Sequence, residues 1–184
     1  MRQRLELAAW MGFVAWCVSG FPPCVDLPAH AAQMQTLVEV LRGAPEVAGT
    51  YRATFPIGYG LSTWLAVPLA WLVDGAFAAR AFTWLAIVLF PLAHRWLRRA
   101  LGLRPATWSD LAAAAFAFNI SYWYGFVPTL WALTATLACW AALLRALHAR
   151  RMGAGRLFGV AALGATVLLS HLVMFGPLVV GALA

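Results

Sequence analysis

Apolar residues along this chain run in long blocks, not in alternation. Six blocks can be marked: Leu5 to Phe21, Pro56 to Val73, Ala76 to Leu97, Thr107 to Trp123, Pro128 to Leu147 and Leu157 to Ala184. Each comes close to or exceeds the ~20 residues that one helical crossing of a bilayer takes. Turn chemistry separates the later blocks, at Asp74-Gly75, Gly102 to Pro105, Gly125 to Pro128 and Gly153 to Gly155. Barrel-type alternation is absent, so helices are the expected means of satisfying backbone polar groups in lipid. The predicted fold is all-α: one polytopic transmembrane helix bundle of about six spans over residues 1–184.

The two end blocks have features of their own. Arg2 and Arg4 precede the first, as in a signal peptide, but Phe21 and two prolines follow it and five more blocks come after. It reads as an uncleaved anchor. Gly176-Pro177 lies inside the last block and predicts a kink there. The block ends without a flanking charge, which points to the N-terminal part of a larger module.

One interval breaks the apolar pattern. Between the first two blocks, "DLPAHAAQMQTLVEVL" places Leu27, Ala31, Met34, Val38 and Leu41 at spacings of three and four. Asp26, His30, Gln33 and Thr36 form the opposite, polar face. Asp26 stands at an N-cap position, Pro28 falls in the first turn, and Gly43 and Pro45 close the element. The prediction is a short amphipathic helix lying on the membrane surface after the first span.

Composition agrees with the block pattern. Hydrophobic residues make up 64% of the 184, charged residues 10%, and the mean hydropathy is +0.80. Soluble domains average about 45–50% apolar and about 25% charged, so this is a membrane chain. The net charge of +7 comes from thirteen arginines and no lysine, a bias expected of a GC-rich bacterial genome. In a membrane protein such charge belongs to loops and lipid headgroups, so it does not indicate a nucleic-acid partner. Cys17, Cys24 and Cys139 have neither metal-ligand spacing nor the number for a disulfide framework.

Asp26 and His30, one helical turn apart, have two readings. They could pass a proton or share a divalent cation. Alternatively Asp26 only caps the helix and His30 sits at the wet interface. The wider layout bears on the choice. "DLPAHAAQMQTLVEVL" is followed by the aromatic "TFPIGYGLSTWLAVPLAWL", then "FAFNISYWYGFVPTLWALTATLACWAALLRAL" and "LLSHLVMFGPLVV". This layout resembles the N-terminal part of uncharacterised bacterial membrane proteins similar to the GT-C glycosyltransferases, which take sugars from polyprenyl-phosphate carriers. The resemblance implies that Asp26 matches the acidic residue of the first exoplasmic loop and acts in catalysis. It implies that His30 orients the acceptor or binds phosphate, with a bacterial inner-membrane location. The acidic pair usual in that loop is not complete here, because no carboxylate follows Asp26 directly.

Other polar residues extend the candidate site. Gln33, Asn119, His171 and Arg99 are candidate contacts for substrate or lipid phosphate, Asn119 and His171 being the polar groups nearest mid-membrane. The alternative for Asn119 is interhelical hydrogen bonding. Asp74 is expected to shape its turn and Asp110 to complement a helix dipole. Arg95, Arg98, Arg99 and Arg104, then Arg145, Arg150, Arg151 and Arg156, read either as a phosphate cradle or as topology markers.

Six spans put the Asp26 loop on the same side as both arginine groups, hence in the cytoplasm by charge counting. The resemblance puts it outside. Two non-catalytic functions stay open beside sugar transfer: a membrane scaffold or assembly protein, and a small transporter subunit with a polar midplane path.

Overall fold

The computed structural model of the protein describes residues 24–54, 60–104, 106–118, 124, 126–149 and 153–183. The predicted first span and Asn119 lie outside them. Among the described residues the structure is all-helical, with eight helices and no strand: α1 (Leu27–Leu41), α2 (Pro45–Ala48), α3 (Leu61–Leu72), α4 (Gly75–Ala100), α5 (Thr107–Ala117), α6 (Val127–His148), α7 (Ala154–Ser170) and α8 (Leu172–Leu183). Two of these, α4 and α6, are long and apolar enough to cross a membrane. At ~1.5 Å per residue they are about 39 Å and 33 Å long.

These two form the centre and run side by side in the same direction. Phe82 meets Trp131 with ring centroids 5.4 Å apart, and further along the Thr134 hydroxyl reaches the Ala86 carbonyl at 3.4 Å. Small residues allow the close approach: Ala78, Ala79, Ala86 and Ala93 are buried on α4, and Ala132, Ala135 and Ala141 on α6. Buried hydroxyls on these helices are satisfied inside their own helix, Thr83 on Ala79, Thr134 on Leu130 and Thr136 on Ala132.

The remaining long elements run against this pair. α5 is antiparallel to α4: Arg95 pairs with Asp110 at 2.6 Å and Phe90 stacks on Phe116 at 6.0 Å. α7 is antiparallel to α6, with the Cys139 thiol 3.7 Å from the Val160 carbonyl. The last predicted block is two helices, not one. His171 is extended (φ −160°, ψ 101°) and divides α7 from α8, while Pro177 sits inside α8. The chain therefore breaks at His171 and not at Gly176-Pro177. From there α8 turns back along α6, where the Trp140 indole donates to the Leu178 carbonyl at 3.2 Å.

The second predicted span, Pro56 to Val73, also differs. Its helix α3 has 12 residues, about 18 Å against a hydrocarbon core of ~30 Å. Both ends of α3 stay beside α1. Gly60, Thr63 and Trp64 line a cavity with Gln33, Thr36 and Leu37, while Arg42 donates to the Trp71 carbonyl at 2.7 Å and lies over the Trp71 ring. α1 itself has the predicted apolar face, and Leu27, Ala31, Met34 and Val38 are buried in the same core as residues of α3 and α4. The predicted amphipathic helix thus packs its apolar face against α3 and α4, with Leu41 left exposed.

Candidate functional site

The N-terminus of α4 fixes the position of α1. Asp74 accepts from the Phe77 N–H at 2.6 Å as a true N-cap, as its turn role predicts. The Gln35 side chain accepts from the Gly75 N–H at 3.0 Å, and donates to Glu39 at 2.9 Å. Gly75 approaches α1 so closely that a Cβ there would collide with the Ala31 carbonyl oxygen and lie 2.9 Å from Gln35. The other end of α1 is tied to the start of α6: the Asp26 N–H donates to the Tyr124 carbonyl at 2.9 Å, and Tyr124 stacks on Phe126.

That second tie creates a cavity of about 390 Å³ lined by Asp26, His30, Phe126, Pro128, Thr129 and His171. Three of the predicted site residues, from α1 and from the α7–α8 break, therefore face one space. Asp26 occupies the N-cap position of α1, yet its side chain makes no capping bond. The carboxylate remains half-buried beside the cavity, free of the structural duty that Asp74 performs.

His30 is half-buried and its Nδ1 has no hydrogen-bond partner among the described residues. Buried polar atoms are nearly always paired, so such an atom marks a place where a ligand or water belongs. Burial lowers the His30 pKa from its ordinary value near 6.5; the Gln33 side chain and the Asp26 charge oppose this shift. The imidazole is accordingly neutral at pH 7, able to accept at one nitrogen and donate at the other. Cys24, three residues before α1 begins at Leu27, is buried and its thiol is pushed up to about 11 by that burial.

Gln33 faces a neighbouring cavity of about 730 Å³ between α1 and α3, with Thr36, Tyr51, Arg52 and Trp64 on its walls. Arg99 is not part of either space. It lies near the far end of α4, about 36 Å along the helix from Gly75. Asp110 sits in the first turn of α5, where its dipole role was expected, and additionally forms the ion pair with Arg95. For a divalent cation, Asp26 and His30 offer two ligands, and among the described residues no group of three His, Cys, Asp or Glu could hold a metal ion.

Thr129 and Phe126 were missed by the sequence reading. Their only signal is Pro128, which marks the first turn of α6 and so places Thr129 at a helix start. Comparison with known proteins finds no match to this chain: no family model, no curated protein and no solved structure.

Proposed function

We propose that this chain is a multi-pass protein of a bacterial inner membrane and the N-terminal part of a GT-C-like glycosyltransferase. The site would lie at the α1 end of the bundle, facing the exoplasm. The observation that carries this reading is the convergence of Asp26, His30 and His171 on one cavity, with a carboxylate not consumed by capping.

The distribution of charge supports the orientation. At the α1 end, Arg42, Arg52 and Arg80 stand against Asp26, Glu39, Glu46 and Asp74. Among the described residues of the opposite end, Arg95, Arg98, Arg99, Arg104, Arg145 and Arg156 stand against one carboxylate, Asp110. Arginine-rich ends favour the cytoplasm, and this supports an outside position for Asp26.

The chemistry follows from the groups present. The Asp26 carboxylate takes the proton of an acceptor hydroxyl as its oxygen attacks the anomeric carbon of the sugar. The bond from that carbon to the carrier phosphate breaks, and the polyprenyl phosphate leaves with the electron pair. The neutral His30 imidazole hydrogen-bonds the acceptor or the phosphate, with Gln33 holding the ring and His171 facing it from the α7–α8 break. Arg99 takes no part in this step.

The test is transfer from a polyprenyl-phosphate sugar in membranes containing the protein. Asp26→Asn is expected to abolish transfer while leaving insertion unchanged. Full activity in that variant sinks the catalytic role, and the protein would then act as a non-enzymatic membrane scaffold.

A further inference from the structure

At the end of the bundle remote from Asp26, arginines from three helices converge. Arg99 of α4, Arg145 of α6 and Arg156 of α7 line one cavity of about 590 Å³, together with Trp96 and His148. Among the described residues no carboxylate lines it. We propose that this cavity is a binding site for a phosphate group, carried on an acidic glycerophospholipid or free in solution. The inference stands apart from the sugar-transfer reading.

The neighbouring arginines show why this set is distinctive. Arg95 is committed to Asp110, through Nε at 3.0 Å and Nη2 at 2.6 Å. Arg98 closes the turn before α5 by donating to the Ala106 and Arg104 carbonyls. These two have structural duties. Arg99 and Arg145, by contrast, make no side-chain hydrogen bond or ion pair among the described residues. Two guanidiniums without a counter-charge facing one concave space repel each other, and a dianionic phosphate relieves this with forked, charge-assisted hydrogen bonds. A topology signal alone needs arginines on one side of the membrane, not arginines from separate helices turned into one cavity.

The cavity walls also suit a ligand with an apolar continuation. Leu163 and Ala142 form one flank, and at Gly159 nothing stands within 4 Å of where a Cβ would be. Trp96 supplies the amphipathic ring typical of the headgroup level. Basic pockets between membrane helices are established sites for anionic lipid headgroups.

The experiment uses the full chain in a neutral detergent and follows thermal unfolding. One arm titrates phosphatidylglycerol against phosphatidylcholine; the other titrates inorganic phosphate without lipid. Saturable stabilisation by phosphatidylglycerol but not phosphate assigns the site to lipid, and stabilisation by phosphate alone assigns it to the free anion. In either arm Arg99→Gln/Arg145→Gln should raise the half-saturating concentration by at least about tenfold. Arg104→Gln, at the same end but outside the cavity, should leave it unchanged. Arg99→Lys/Arg145→Lys keeps the charge and guards against a folding defect; lacking the fork, it should weaken binding as well. The proposal is overturned if neither arm stabilises the protein, if the double variants respond like wild type, or if Arg104→Gln loses the response equally.

Discussion

Gly75→Ala is the sharpest test of how α1 is held. In an ordinary helix the change would stabilise by about 0.5–1 kcal/mol, because alanine loses less backbone freedom. Here the new methyl would collide with the Ala31 carbonyl oxygen and lie 2.9 Å from the Gln35 Cβ and N, atoms of α1 itself. None of these is the end of a flexible side chain, so α1 or the start of α4 must shift as a unit. Overpacking of this kind costs about 1–3 kcal/mol, and weakening the Gln35–Gly75 hydrogen bond adds about 0.5–1.5 kcal/mol. The net expectation is a loss of about 1–3 kcal/mol, read by chemical unfolding in detergent micelles. Gly164→Ala is the matched control: it lies inside α7 with nothing within 4 Å of its Cβ position, and should be neutral or gain up to about 1 kcal/mol. A Gly75→Ala protein as stable as wild type would mean that α1 does not cross α4 at this distance.

Three further outcomes are expected. A double-mutant cycle on Arg95→Gln and Asp110→Asn should give a coupling of about 1–3 kcal/mol, since both partners are mostly buried and share a two-pronged contact; coupling near zero would make the pair incidental. Because burial lowers the His30 pKa, the folded protein resists protonation there while the unfolded chain accepts it. Stability should be full above pH ~6.5 and fall as pH drops toward the lowered folded value, with His30→Gln flattening that slope; an unchanged slope refutes the assignment. Cys24, 4% exposed and with its pKa near 11, should resist maleimide at pH 8 in the folded protein, whereas a cysteine at Val25, which is 71% exposed, should react rapidly. Labelling of Val25→Cys by an impermeant maleimide in intact cells is expected from the proposed orientation, and labelling only after lysis contradicts it.

Helix existence and faces were legible in the sequence; partners were not. The spacing of Leu27, Ala31, Met34 and Val38 identified the buried face of α1, but periodicity says which side is apolar and not what covers it. Lipid and the flank of α3 and α4 are equally apolar covers, so the pattern does not choose between them. The break at His171 had only a weak local signal in Ser170, whereas Gly176-Pro177 carried a strong one and stayed helical. Gln35 and Thr129 were silent for the same reason. Their roles arise from contacts 40 residues away in the case of Gln35 and Gly75, and from a cavity assembled by three separate segments in the case of Thr129.

The conflict between charge and resemblance came from treating every apolar block as a crossing. Counting Pro56 to Val73 as a span forced the Asp26 loop onto the side of the arginines. α3, with 12 residues, is shorter than a crossing takes and keeps both ends against α1. The Asp26 segment, the Asp74-Gly75 turn, the start of α6 and the His171 break then share one end, joined by the Gln35–Gly75 and Asp26–Tyr124 hydrogen bonds. The arginines of α4, α6 and α7 share the other. A positive-inside rule applied to ends of helices instead of loop numbers gives the same orientation as the resemblance does. Sidedness inferred by counting spans turns on this one block, because removing a single crossing inverts every loop after it.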